Sequence, residues 1–594
     1  MDSRPNSQTD LLLENGALEP AAPPPERSPG ALLRSVFREE RFFLVLSVFI
    51  GVFSGLAVVC FRFAIDWCRI YFLGSGYTLS PSRLLLAPAL AGLIIAVLVI
   101  HVFPLTRGSG VNQTKAALYI YNGYIPLRTA IGKFLTAALA IGAGHSLGPE
   151  DPSLQIGASL ASALGRRLRL SRDRMRLIAP VGAAAGLAAA FNAPISAVLF
   201  VIEEVIGRWN AGVLGAVVLA AVSSVVVERW FLGAEPLFRA PGYRLENPGE
   251  LFAYAVLGVV GGLAAMVFVK SIKFLRPRLT AMPRWTQYLL PGIAGALIGV
   301  IGLWFPQVMG AGYDYMDQAM HDQYTWEVLG ILAGLKILAT VLSFSSGTPG
   351  GLFAPVLFIG AMVGGAVGGV EHLMFPHFTG PLGAYALVGM GALFAGILRA
   401  PMTSVFLVLE ISGNYAIILP VIISNALAYL ISRSLQPTPI FDLLSRQDGL
   451  DLPSLEEDRE RAVLRVEDAM RPPTPQVSIR LDALPPPEVI ESLPGEFFLV
   501  QDRNGYWGGM SKTKLLEVAS DQASDKEARV QELPHLHPDH ALDVAMRRIG
   551  EWPLLPVVHR ADGTKLVGVI SLNDILEAYR QPAAAMQELP EPAD

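Results

Sequence analysis

Gly148-Pro149-Glu150-Asp151-Pro152-Ser153-Leu154-Gln155-Ile156-Gly157-Ala158 sets two carboxylates between apolar runs at 129–144 and 177–202. A carboxylate near the centre of a bilayer costs about 3 kcal/mol or more, so Glu150 marks an ion or proton path. The same Gly, Pro and Ile-Gly-Ala skeleton returns 203 positions later, in Gly351-Leu352-Phe353-Ala354-Pro355-Val356-Leu357-Phe358-Ile359-Gly360-Ala361. There Phe353 stands in the place of Glu150.

Composition agrees with a lipid setting. Over 594 residues the chain is 52% hydrophobic and only 16% charged, which excludes an ordinary soluble globule and predicts a polytopic membrane protein. The net charge of −5 points to no particular partner, and no nucleic acid is expected. Two cysteines, Cys60 and Cys68, cannot make a disulfide framework and read as packing residues.

The opening, residues 1–38, is polar and carries Ala21-Ala22-Pro23-Pro24-Pro25; it reads as a disordered tail. Leu11-Leu12-Leu13 is too short for a signal-peptide core, so the first apolar segment, 42–63, stays as a membrane helix. Arg27, Arg34, Arg38 and Arg41 precede it and place the N-terminus in the cytosol. Further apolar segments centre near 93, 137, 158, 183, 200, 222, 262, 295, 335, 363, 390, 405 and 425. The stretches that follow Pro152, Pro194, Pro355 and Pro401 are read as only a dozen residues long. A 30 Å hydrocarbon core needs roughly 20. Such broken helices persist where protein or a watery cavity covers their ends.

The repeat has three landmarks. Gly108-Ser109-Gly110 returns as Gly310-Ala311-Gly312 at an offset of 202, and Val181-Gly182, Ala193-Pro194 and Glu203 return as Val388-Gly389, Ala400-Pro401 and Glu410 at 207. Membrane helices rich in small residues resemble one another generically, but not in one order at nearly constant spacing. Two halves, about 40–235 and 250–446, therefore predict a repeat-built transport domain over 39–446, with its site where broken helices meet. Helix N-termini offer unpaired N–H groups and a positive dipole end, so glycine-rich turns opening onto short helices make an anion site without a cation. Ser109 adds a hydroxyl donor. Sites built of neutral dipoles hold an anion weakly enough to release it.

These motifs resemble the CLC chloride channels and chloride/proton antiporters. Ser109 within Gly108-Ser109-Gly110 is similar to the family's Gly-Ser-Gly-Ile-Pro anion loop, Gly148 to Pro152 to its Gly-(Lys/Arg)-Glu-Gly-Pro gating loop, and Gly351 to Pro355 to its Gly-x-Phe-x-Pro loop. The resemblance implies an all-α membrane fold of two inverted repeats built from tilted and broken helices. It also implies a homodimer in the cell membrane, the inner membrane if bacterial, with one path per subunit for chloride or another small anion. Glu150 would be the gating glutamate, which leaves an anion site when protonated. Leu352 and Phe353 would donate N–H groups to the central anion beside Ser109.

Four positions depart from the pattern. Pro149 replaces a basic residue and has no N–H to give. Asp151 replaces a glycine; it either discourages ionisation of Glu150 or faces water or caps the following helix. Asn112 stands in place of a proline. Phe441, in Pro439-Ile440-Phe441-Asp442, stands where the family has its pore tyrosine, so the central anion loses a hydroxyl donor.

Proton coupling turns on a second acid. Ala193-Pro194 opens a helix ending in Ile202-Glu203-Glu204, and Glu204 matches the family position that admits protons from the cytosol in antiporters, where many channels carry valine. Its alternative is a structural carboxylate bonded to an arginine or amide group. Glu203 takes that structural part, because its repeat mate Glu410 lies in the half without a proton path. Lys133 matches a family lysine that would make the path more positive, or snorkels to an interface. The implied activity is anion/proton antiport, with a passive voltage- or pH-gated chloride channel as the alternative.

After Leu435 the character changes. An acidic linker, 447–463, leads to a region, 464–582, with a weak repeat of its own, followed by a tail at 583–594. Phe498-Leu499-Val500-Gln501-Asp502 leading to Gly508-Gly509-Met510-Ser511 parallels Pro556-Val557-Val558-His559 leading to Gly568-Val569-Ile570-Ser571. It resembles a soluble α/β pair of cystathionine-β-synthase-type (CBS) domains. In that pattern Ser571 and Asp574 would bind an adenine nucleotide, the one cofactor implied, while Lys514 stands at the first module's corresponding place. Structural pairing without nucleotide is the alternative. Arg433 and Arg446 at the last exit put this C-terminal region in the cytosol too, which requires an even number of crossings.

Other classes fit less well. An intramembrane enzyme needs a nucleophile or metal cluster, yet His101 and His145 have no ligand partner in the sequence and no His-Glu-x-x-His occurs. A membrane-anchored nucleotide sensor would not need a duplicated ion path.

Overall fold

The two glycine motifs meet. Gly148 N–H donates to the Gly351 carbonyl and Gly351 N–H to the Gly148 carbonyl, both at 2.8 Å. Residues that exchange both bonds are directly opposed in an antiparallel pair. Because these two are repeat mates, the halves face each other across a two-fold relation, as identical patches do in an isologous interface. The relation continues outward. A Cβ on Gly157 would lie 2.2 Å from the Gly182 carbonyl oxygen, and one on Gly360 would lie 2.4 Å from that of Gly389. Glycine is thus what lets Glu150–Arg167 pack on Arg172–Phe191, and Phe353–Met374 on Leu382–Leu398. Asn192 and Arg399, 207 positions apart, close the second helix of each pair in the left-handed region, with φ of 53° and 59°.

A computed structural model describes residues 29–74, 80–207, 211–238, 242–243, 247–376, 379–450, 452, 464–474, 476–520, 530–550 and 552–587, and side chains between 41 and 580. The expected tail over 1–28, the linker over 453–463 and the end at 588–594 lie outside the described residues. Three boundaries move, one of them at the C-terminal end, where the helix Leu572–Gln587 takes the first five residues assigned to the tail at 583–594. The first helix starts at Pro29 and runs to Phe72, so 29–38 is helical instead of disordered, and the helix Ile440–Gln447 takes the first residue assigned to the linker.

Every apolar centre read from the sequence falls inside a helix. Among the described residues eight helices are long and apolar enough to cross a membrane. The broken helices are uneven in length. Pro401–Ser412 has 12 residues and Pro194–Phe200 has 7 before it widens into a π-helical turn, Val201–Ile206. Phe353–Met374, expected to be short, continues for 22 residues. Its glycines do not interrupt it, because they are contact points: a Cβ on Gly364 would lie 2.0 Å from the Tyr385 carbonyl oxygen. Burial replaces the stability that glycine lacks in an exposed helix.

The chain divides into two compact units, Met1–Pro453 and Ser454–Asp594. The second shows its repeat as two hairpin-and-helix modules. Phe497–Gln501 pairs antiparallel with Trp507–Ser511 ahead of the helix Lys512–Ala519, and Leu554–His559 pairs antiparallel with Asp562–Ser571 ahead of Leu572–Gln587. Ser478–Arg480 joins the first sheet in parallel and Gln531–Glu532 closes its other edge. Alternating apolar residues, Phe498, Val500 and Met510 in one module and Leu555, Val557 and Ile570 in the other, build the two small cores.

Candidate anion and proton site

Glu150 is the first residue of its helix, yet its side chain crosses to the other half. The fully buried carboxylate accepts the Ala354 N–H at 3.3 Å through Oε2 and the Tyr313 hydroxyl through Oε1. Ala354 lies in the first turn of Phe353–Met374, where N–H groups lack intrahelical acceptors and the helix dipole is positive. Glu150 therefore stands where a mobile anion would be held. Leu352 and Phe353 open the same helix, so their N–H groups face the same end; the Gly351 N–H is committed to Gly148.

Tyr313 is absent from the sequence reading. Its repeat mate is Val111, so the internal symmetry gives no signal for a hydroxyl there. Tyr313→Phe removes one donor from a charged acceptor, a loss of about 1.5–3 kcal/mol. Glu150 should then leave its seat more readily, and anion turnover in proteoliposomes at neutral pH should rise by about tenfold or more. Turnover within a factor of about two of the unaltered protein would show that the phenol does not restrain the Glu150 side chain.

Asp151 caps a helix, but not its own. Its carboxylate accepts from Gly110 N and Val111 N, both at 3.0 Å, and from Ser109 Oγ at 3.2 Å, so it sits at the N-terminus of Gly110–Tyr119. Ser109, expected to face a mobile anion, is thus engaged with Asp151 and also accepts Val111 N–H at 3.2 Å. Lys133 does not snorkel. Fully buried, its Nζ donates to the carbonyls of Thr106 at 3.1 Å and Gly108 at 2.9 Å, fixing the loop from behind. Lys336, 203 positions later, does the same to Val308 at 3.0 Å and Gly310 at 2.8 Å. Its spacing from Lys133 was a legible signal that the sequence reading passed over.

Phe441 lies in a phenylalanine cluster, its ring centroid 6.3 Å from Phe353 and 6.1 Å from Phe200, while Phe200 is 5.0 Å from Phe353. Asn112 explains its own departure, because its Nδ2 donates to the Phe441 carbonyl at 2.9 Å, a tie that proline could not make.

The two adjacent acids part company. Glu203 accepts from Met402 N at 3.3 Å, Thr403 N at 2.8 Å and Thr403 Oγ1 at 2.6 Å, whereas Glu410 accepts from Ile195 N at 3.0 Å, Ser196 N at 2.7 Å and Ser196 Oγ at 2.5 Å. Each half thus caps the broken helix of the other. Glu204, also buried, accepts from Lys115 Nζ at 2.7 Å, and that ammonium lies 3.7 Å from Asp442. The sequence suggested arginine or amide groups around Glu204 and did not name Lys115.

In the second unit Asp574 accepts from Ser571 N at 2.9 Å and Ser571 Oγ at 2.7 Å and is bridged by Arg471. The pair closes the start of Leu572–Gln587 much as a capping box does. Among the described residues no three His, Cys, Asp or Glu side chains are grouped to hold a metal ion.

The voltage gated chloride channel family model matches residues 91–433. The H(+)/Cl(-) exchange transporter ClcA of Salmonella arizonae is 32% identical over 443 residues, which cover 71% of this chain and 93% of the relative. The crystal structure of a slow cyanobacterial Cl-/H+ antiporter superposes with a TM-score of 0.64 at 25% identity, over 68% of this chain and 98% of the other. That of a eukaryotic CLC transporter superposes with a TM-score of 0.60 at 20% identity, over 90% of this chain and 97% of the other, and so reaches into the C-terminal unit. With its duplicated glycine loops, its crossed carboxylates and matches that span most of the membrane unit, the chain belongs to the voltage-gated chloride channel (CLC) family.

Proposed function

We propose that this multi-pass membrane protein exchanges chloride, or another small anion, for protons, with Glu150 as the gate. The observation that carries the reading is the Glu150 carboxylate on the Ala354 N–H: a tethered anion occupies a helix N-terminus that a free anion can take. Protonation discharges the carboxylate, which withdraws; the anion enters and is cradled by the first N–H groups of Phe353–Met374. Return of the charged side chain expels the anion and requires loss of the proton. Glu204 supplies or receives that proton on the cytosolic side, and relatives named as exchange transporters favour coupling over passive conduction. The protein works as a homodimer with both termini in the cytosol and one path in each subunit.

The test follows both ions in proteoliposomes. An imposed chloride gradient should drive protons uphill. Free anion flow with no uphill proton movement would leave a channel in place of an exchanger.

For the C-terminal unit, structural pairing is the favoured role. Its would-be ribose ligand, Asp574, is already held by Ser571 and Arg471, so nucleotide would have to break these contacts. Millimolar ATP should leave the melting temperature of the full-length protein unchanged. A concentration-dependent rise would restore the nucleotide reading.

A further inference from the structure

We propose that Asp151 is a second tethered carboxylate of the anion path, one that occupies the Ser109 loop and must withdraw before an anion can bind there. The inference rests on the reading of this loop as part of the path. The Asp151 carboxylate takes the donors such an anion would use: Gly110 N–H, Val111 N–H and the Ser109 hydroxyl. Consecutive residues, Glu150 and Asp151, thereby fill the N-termini of two different helices, one from each half of the molecule.

The internal repeat argues that Asp151 is not needed to build the loop. In the second half the repeat mate of Asp151 is Ala354 and that of Ser109 is Ala311, so neither the carboxylate nor the hydroxyl exists. The Gly310 loop is nevertheless held in the same manner, with Lys336 on the carbonyls of Val308 and Gly310 just as Lys133 binds those of Thr106 and Gly108. The lysine is the common structural device, and the carboxylate is an addition peculiar to the half that carries Glu150. Lys133, one carbonyl behind the loop, remains to attract an anion when Asp151 swings away. Space restricts that movement: a Cβ on Gly351 would come within 2.8 Å of the Asp151 Cβ, so only glycine at 351 leaves room beside it.

A tethered ligand competes at an effective concentration in the millimolar range or above, so its removal strengthens binding of a free competitor. Chloride titration of the full-length protein by calorimetry, in Asp151→Gly and in the nearly isosteric Asp151→Asn, each with and without Ser109→Ala, reads this out. Asp151→Gly should bind chloride about tenfold or more tightly, Asp151→Asn should gain less, and Ser109→Ala should weaken chloride binding more in either Asp151 variant than in the unaltered protein, where Asp151 fills the loop. The proposal is overturned if both Asp151 variants fold and bind chloride as the unaltered protein does. It is equally overturned if Ser109→Ala weakens chloride binding as much with Asp151 present as without it, since an anion would then share the loop with Asp151. Neither outcome touches the exchange reading, which stands or falls on uphill proton movement in liposomes.

Discussion

Glu150→Gln should free anion flux from its dependence on protons. The amide keeps the shape of the side chain and can offer its one oxygen to Ala354 N–H while its NH2 donates to the Tyr313 hydroxyl oxygen, but it cannot ionise. Hydrogen bonds to a charged acceptor contribute about 1.5–3 kcal/mol and neutral ones about 0.5–1.5, so the seat is weakened by about 1–2 kcal/mol. That difference is a factor of about 5–30 in occupancy. Anion turnover in proteoliposomes should rise by a comparable factor at neutral pH and become flat with pH, because no proton is needed to vacate the seat. Proton movement should vanish. Retained uphill proton pumping in a folded Glu150→Gln protein would remove Glu150 from the gate.

What the sequence disclosed depended on the repeat. The pairing of Gly148 with Gly351, and the exchange of caps between Glu203 and Glu410, are both symmetric, and a constant offset makes symmetry visible in one dimension. Lys336 was legible by the same rule. The asymmetric contacts were not. Tyr313 reaches Glu150 across 163 positions with a valine as its repeat mate, and Lys115, inside the short helix Gly110–Tyr119, carries no periodicity that names Glu204 as its partner. The length of Phe353–Met374 was misjudged because glycine reads as a breaker from sequence, whereas here Gly360 and Gly364 are sites of backbone contact. Asp151 shows a further limit. Its type and position permitted capping, but the helix that it caps begins 41 residues earlier in the chain.

Glu204→Gln separates the two transported ions most sharply. Glu204 lies at the end of a broken helix, buried and paired with Lys115 at 2.7 Å. If it relays protons, the amide should leave the anion path of Glu150 intact while stopping the relay, because a carboxamide neither gains nor loses a proton at working pH. Positioned proton-transfer groups contribute about 10²–10⁴-fold, so proton movement should fall by about a hundredfold or more with anion flux little changed. The ion pair complicates the single substitution. Removing one partner of a buried pair costs about 3–5 kcal/mol, because the other charge is stranded. In Glu204→Gln, Lys115 keeps the amide oxygen and the more distant Asp442, so a lower melting temperature is expected alongside the transport effect. The double variant Glu204→Gln with Lys115→Met removes both charges together and should recover stability without recovering protons. Loss of stability and loss of coupling would then be separate consequences of one carboxylate. Recovery of proton movement along with stability would instead make Glu204 a structural partner of Lys115 and place the cytosolic proton entry elsewhere.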